Sequence, residues 1–355
     1  MTTPTMNTTV ATDTAIQVRG LEKTFRNFHL GPLDLTVPRG AIYGLIGPNG
    51  AGKTTTIDLM LGMGREEAGT IRILGFDHRR DEVDVKRRVG YVSPDLSYQP
   101  WGKVSRAVNF VRAFYPDWDD DYCRRLFESL QVNWDEKIAS LSYGAKTKLA
   151  LIMALSHRPD VLILDEPTAG LDAHSKRQLF TELLAAVENS DRTVFISSHS
   201  LSDLERFADH IGIIHHGRLL LEGPTAELVD RYRQVDFILR GGGVAGSAGG
   251  GVASSVGGGV ASSVGGGALG SVGGKDAAAV VEPFASIAGG KDAAAVVEPL
   301  AGIAGVLLQA QDGDRFRALV DVTGPALDRL KSLGADQIAA TPVTLEDMFI
   351  GLTQG

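Results

Sequence analysis

The chain is poor in several things, and each scarcity narrows its function. A single cysteine, Cys123, stands among 355 residues, so no internal disulfide can form and a reducing, cytosolic setting is expected. No run of about eighteen apolar residues occurs, so no membrane-spanning helix is expected. The longest apolar stretches, near the C-terminus, are rich in Gly and Ala and are broken by Glu298 and Pro299. Residues 1–14 are Thr-rich, without a basic segment or an apolar core. They are expected to be a disordered N-terminus rather than a signal peptide. Basic charge is also in short supply: 35 Lys and Arg stand against 43 Asp and Glu, a net charge of -8. With no surplus to neutralise phosphates, nucleic acid is not an expected partner.

What is present is a phosphate-binding loop. Gly47-Pro48-Asn49-Gly50-Ala51-Gly52-Lys53-Thr54 has two glycines at the required separation, followed by Lys and a hydroxyl residue. An apolar run at 41–46 precedes it and reads as a buried strand. A helical pattern beginning at Thr55 follows it. Glycines let backbone N–H groups approach phosphate oxygens, and a helix start adds partial positive charge beneath them. Lys53 is expected to reach the β- and γ-phosphates of ATP, and the Thr54 hydroxyl to bind Mg²⁺. Thr55 completes the expected ATP-binding set.

A second apolar run, 161–164, ends in Asp165-Glu166. A buried strand delivers its last side chains to the sheet edge where α/β folds bind ligands. There Asp165 can hold Mg²⁺, and Glu166 can polarise a water for attack on the γ-phosphate. Strand-like runs at 71–74, 161–164, 193–196 and 211–214 alternate with helical segments, so residues 15–235 are expected to form one α/β unit with a largely parallel sheet. The stretch 126–155 reads as mostly helical, an inserted subdomain spanning about 93–156. Residues 241–304 are dominated by Gly, Ala, Ser and Val and hold two duplicated units, the pattern of a flexible linker. Residues 305–355 regain globular patterning, with two strands, a helix opened by Pro325 and a final helix from Leu345. This is a small α+β tail that should dock on something. His215-His216 precede Gly217 and read as hairpin residues, without the cluster a metal site needs.

The order of these motifs carries a resemblance. The phosphate loop, then Leu141-Ser142-Tyr143-Gly144, then the strand ending in Asp165-Glu166, then Ser198-His199, is similar to the ATP-binding subunits of ABC transporters, over residues 16 to about 228. The resemblance implies a P-loop NTPase fold and a head-to-tail dimer with a second ATP-binding subunit. In that dimer Ser142 and the Gly144 backbone would face the ATP held by the opposite subunit. Taken alone, Ser142 fits an ordinary helix N-cap equally well. By the same resemblance Asp172, in Ala169-Gly170-Leu171-Asp172, belongs to the loop crossing the dimer interface. His199 is the switch histidine at the γ-phosphate, and Phe25 stacks on adenine, with Phe28 as the alternative. A separate membrane permease is implied, and with it a location at the cytoplasmic face of the membrane. The cargo class by analogy is drugs, antibiotics or lipids moved outward. Relatives acting on DNA or ribosomes would split or duplicate the cassette, and neither feature occurs. Two departures stand out. The Gln expected after Val89-Gly90-Tyr91-Val92 is missing in register, with Asp95 nearby, and Tyr143 and Ala145 replace the commoner signature residues. The aromatics from Trp101 to Trp118 fit a permease interface or a subdomain core equally.

Overall fold

Three sheets organise the computed structural model, which describes residues 14–94, 98–188, 192–239, 303–312 and 314–354. The glycine-rich tract at 241–304 lies outside these residues except for its last two, as do residues 1–13 and Asp95. The central sheet is six-stranded, in the order β10-β9-β3-β8-β7-β6. It comprises β3 (Ile42–Ile46), β6 (Val89–Val92), β7 (Val161–Leu164), β8 (Thr193–Ser198) and β9 (His210–His215), all parallel, with β10 (Arg218–Pro224) antiparallel at one edge. Every residue of β3, β7 and β8 is buried, as expected of parallel strands covered on both faces.

A separate antiparallel sheet was not foreseen. It comprises β1 (Thr14–Phe25), β2 (Phe28–Pro38), β4 (Ala68–Ile73) and β5 (Phe76–Asp77), in the order β2-β1-β4-β5. The run at 71–74, expected in the parallel sheet, belongs here. In β4 Ile71 and Ile73 are buried, while Thr70 and Arg72 face outward, the alternation of a strand covered on one side. Leu21, Leu30, Leu33 and Leu35 of β1 and β2 share one core with Tyr43 and Leu45 of β3 and with helix α1 (Lys53–Met60).

Between β6 and β7 lie α3 (Val104–Arg112), α4 (Asp120–Ser129) and α5 (Tyr143–Ser156). The stretch 126–155 is less continuous than its apolar spacing suggests. Helix α4 stops at Ser129, and residues 130–142 hold only a short 3-10 turn. Gln131 at φ 57° and Asn133, whose side chain accepts the Asp135 N–H, favour turns over helix. The aromatics divide between core and surface. Trp101 and Trp118 pack on the core, whereas Phe110 and Phe114 are exposed.

The C-terminal sheet, β12-β13-β11-β14, is antiparallel. Its members are β11 (Tyr232–Leu239), β12 (Val306–Asp312), β13 (Arg315–Asp321) and β14 (Ala335–Pro342). Residues 232–235, expected to close the first unit, instead open β11, an interior strand of this sheet. Helices α9 (Ala326–Ser332) and α10 (Leu345–Gln354) accompany it. Its docking partner is the cassette itself. Leu345, Met348 and Leu352 of α10 share a buried cluster with Leu201 and Leu204 of α7 (Leu201–Leu204), and Arg231 grips Asp321 through Nε at 2.8 Å.

One buried titratable group links packing to pH. His157 ends α5 with 4% exposure, stacked on Tyr115 at 3.9 Å between centroids. Burial pushes its imidazole down from the ordinary 6.5 to about 4. The neutral form is the folded form, so this contribution is complete above pH 6.5 and is lost as pH falls towards 4. Unfolding free energy from urea titration should therefore drop across that window, by roughly 3 kcal/mol if this group acts alone. His157→Phe, which keeps the ring stack, should remove this part of the slope. An identical pH dependence in both proteins would contradict the assignment.

Candidate nucleotide-binding site

The phosphate loop begins where β3 runs out. The Gly47 N–H donates to the Ser198 carbonyl at 3.2 Å, tying the loop to the end of β8. A Cβ on Gly47 would lie 2.3 Å from the Ile214 carbonyl oxygen, so the backbone can come this close to β9 only without a side chain. The two-residue turn His216-Gly217, a hairpin turn as expected, supports the loop from below: its Gly217 N–H donates to the Ala51 carbonyl at 2.9 Å. Helix α1 then starts at Lys53, and the Thr56 hydroxyl donates to the Gly52 carbonyl at 2.8 Å. Pro48 is half-buried and Asn49 and Gly50 form the exposed rim, while Ala51 and Gly52 are buried and Thr55 half-buried.

Lys53 is only 5% exposed, and its ammonium curls back over the loop. Nζ donates to the carbonyls of Gly47 at 2.7 Å and Pro48 at 3.1 Å, and lies 3.0 Å from Glu166 Oε1. A buried ammonium needs such partners, because desolvation otherwise penalises its charge. The carboxylates arrive from the next strand but one. The Asp165 N–H donates to the Val92 carbonyl at 2.8 Å, carrying the β6–β7 pairing one residue past the strand. Asp165 is 2% exposed and accepts from two hydroxyls, Thr54 at 2.9 Å and Ser197 at 2.6 Å. Glu166 sits at φ 46°, a conformation costing a non-glycine residue about 1–3 kcal/mol. Two contacts hold it there: its N–H donates to Ser197 Oγ at 2.9 Å, and its Oε2 meets His199 Nδ1 at 2.7 Å. Its Oε1 is buried without a hydrogen bond and faces the Lys53 ammonium.

Lys53, Thr54, Asp165, Glu166 and His199 are thus one connected cluster at the C-terminal ends of β3, β7 and β8. Ser197 joins it and was missed. Its only sequence signal was its place at the end of an apolar strand, two residues before His199. Among the described residues no three His, Cys, Asp or Glu side chains group as a metal cage. A hydroxyl beside a carboxylate does suit Mg²⁺, which takes few protein oxygens and completes its shell with water and phosphate.

The remaining predicted residues lie apart from this cluster. Ser142 N-caps α5, its Oγ accepting from the Ala145 N–H at 3.1 Å. Asp172 caps α6 (Ala173–Glu188): the Ser175 N–H donates to it at 2.8 Å and holds its carboxyl below the usual range. Gly144 and Tyr143 touch the segment before α6. A Cβ on Gly144 would lie 3.1 Å from Leu171, and one on Gly170, at φ 67°, would lie 3.1 Å from the Tyr143 ring. Phe25 is exposed at the end of β1, 6.3 Å between centroids from Phe28. It is the Phe28 ring that reaches the loop, 3.0 Å from where a Gly52 Cβ would stand.

Residues 30–169 match the ABC transporter family model. The chain is 33% identical over 233 residues to the bacitracin transport ATP-binding protein of Bacillus licheniformis, covering 64% of this chain and 74% of that one. The chain belongs to the ATP-binding subunits of ABC transporters. It is 35% identical over 231 residues to Nod factor export ATP-binding protein I of Burkholderia lata, covering 61% and 72%. It is 32% identical over 234 residues to the daunorubicin/doxorubicin resistance ATP-binding protein of Streptomyces peucetius, covering 60% and 66%. Among solved structures, an ATP-binding subunit of an ABC transporter aligns with a TM-score of 0.55 at 25% identity, over 61% of this chain and 92% of that one. A dimeric cassette in a post-hydrolysis state with ADP and Pi shares the fold, with a TM-score of 0.53 at 19% identity, over 59% and 98%. This ABC subunit binds ATP and is an ATPase. Subunits of its family dimerise and pair with membrane permeases. Among its described residues no helix is long and apolar enough to cross a membrane.

Close backbone approach at Gly47 makes a direct test. Gly47→Ala should lower stability by more than about 2 kcal/mol and abolish binding of a fluorescent ATP analogue. An unchanged melting temperature with normal analogue binding would contradict the packing described.

Proposed function

We propose that this subunit is the ATP-hydrolysing motor of an exporter, working as a dimer against a separate permease at the cytoplasmic face of the membrane. Its cargo class would be that of the relatives named for bacitracin, daunorubicin and Nod factor transport. The observation that carries the proposal is the Lys53–Glu166–His199 chain joined to the Thr54–Asp165–Ser197 chain through the Glu166 N–H and Ser197 Oγ. Phosphate entering the loop would take the Lys53 ammonium from Glu166 and from the Gly47 and Pro48 carbonyls. Glu166, released on that side and still oriented by His199, would then accept a proton from the attacking water. Thr54 and Asp165 would hold Mg²⁺, which supplies charge neutralisation on the phosphates.

In the dimer Ser142 and the Gly144 N–H would face the γ-phosphate held by the other protomer, and Asp172 would sit at the crossing loop. Phe25 or Phe28 would cover the adenine. Phe28 has the better claim, since its ring already packs against Gly52. Closure of two subunits on two ATP molecules would drive the permease, and hydrolysis would release them.

Glu166→Gln is the deciding variant. It should reduce ATPase turnover by about a hundredfold or more. It should also shift the purified protein to a dimer when ATP is added, as seen by light scattering. Wild-type turnover no faster than the variant's would reject the motor assignment.

A further inference from the structure

A second cationic site lies at the opposite edge of the central sheet. Arg158 precedes β7 and Arg192 precedes β8, so both stand at the N-terminal ends of parallel strands whose C-terminal ends meet the phosphate loop. With Tyr122, Arg125 and Ser129 around α4 and Glu182 of α6 they line a cavity of about 480 Å³. Three guanidinium groups surround the Tyr122 ring: Arg158 at 3.8 Å, Arg125 at 5.4 Å and Arg192 at 5.8 Å from its centroid. The neighbouring carboxylates are each engaged, one of them by the cup's own Arg158. Asp119 accepts from Arg158 at 2.9 and 2.7 Å, Glu182 accepts from the Ser129 hydroxyl, and Asp160 lies 3.8 Å from Arg88.

Arg192 is the anomaly. It is only 6% exposed, and its Nη1 is buried without a hydrogen bond. Such a donor carries a full desolvation penalty. Burial, and then the Arg158 charge, pull its guanidinium below the ordinary value, although the Tyr122 phenol and the Asp160 charge oppose them. An anion placed in the cup would relieve the repulsion between the arginines, and a turn of the Arg192 guanidinium would bring its unpaired Nη1 to that anion.

We propose that this cup binds the phosphate group of a small ligand, with Arg192 and Arg125 as charge-assisted donors. Guanidinium forks match phosphate oxygens in pairs, and the cavity is several times larger than phosphate alone needs, leaving room for the group that bears it. The site is independent of the nucleotide site and of the motor assignment. The same chemistry is offered by a soluble phosphate ester and by an anionic lipid headgroup.

The test uses the full chain carrying Lys53→Ala, which removes the main cation of the phosphate loop. Inorganic phosphate titrated into this protein should release or absorb heat with saturation and raise the melting temperature. Adding Arg125→Ala, an exposed change that leaves the core untouched, or Arg192→Met should weaken that binding about tenfold. Absence of phosphate binding to the Lys53→Ala protein, or binding unchanged by Arg125→Ala, overturns the proposal. Vesicles containing phosphatidic acid identify the source. Sedimentation with them that is lost on Arg125→Ala assigns a lipid headgroup, whereas phosphate binding without vesicle binding assigns a soluble ester.

Discussion

The buried Lys53 ammonium is the constraint around which the nucleotide site is arranged. Removing an ammonium from water costs several kcal/mol unless its charge is met by hydrogen bonds or a counter-ion. Here two loop carbonyls and the Glu166 carboxylate meet it. On the proposed roles Glu166 would stand in for phosphate: the ammonium that would bind a γ-phosphate here contacts the carboxylate that would activate water. On those roles, catalytic competence and phosphate occupancy would be coupled by competition for one cation.

That coupling needs a rigid frame, and three strand ends supply it. Gly47 is tied to Ser198, Asp165 to Val92, and Glu166 to Ser197, so loop, carboxylates and histidine share one hydrogen-bonded edge. The left-handed backbone at Glu166 persists because these bonds hold both its N–H and its carboxylate. Strain of this kind turns the Glu166 side chain back towards Lys53 instead of letting it continue the strand's alternation.

Much of this is legible in the sequence. The phosphate loop and the strand ending in Asp165-Glu166 are local patterns in which residue type and backbone demand coincide. Ser197 was not legible, because its role lies in contacts with Asp165 and Glu166, more than thirty residues away, and a serine at a strand end carries no such label. The N-terminal antiparallel sheet was missed for a similar reason. Alternation in β4 shows a half-buried strand but does not say which neighbour it pairs with, and pairing with β1 is a long-range choice. Nor did a boundary near 235 anticipate β11, whose partners come from beyond residue 303. The compositional break at 241 marks where patterning stops, not where one sheet gives way to another.

The two helix caps show why a structural role and a binding role need not compete. Ser142 satisfies the Ala145 N–H, and the Lys146 N–H bonds to the Ser142 carbonyl. The first turn of α5 then leaves the N–H groups of Tyr143 and Gly144 without intrahelical acceptors, as helix geometry requires. A capped helix start is thus still a donor surface for an anion from outside the chain. Tyr143 also rests on Gly170, and Gly144 abuts Leu171, so this donor surface is packed directly against the segment that Asp172 anchors to α6. Displacing either element requires repacking the other, so the two would approach or leave a partner protomer together. That contact depends on the Tyr143 ring.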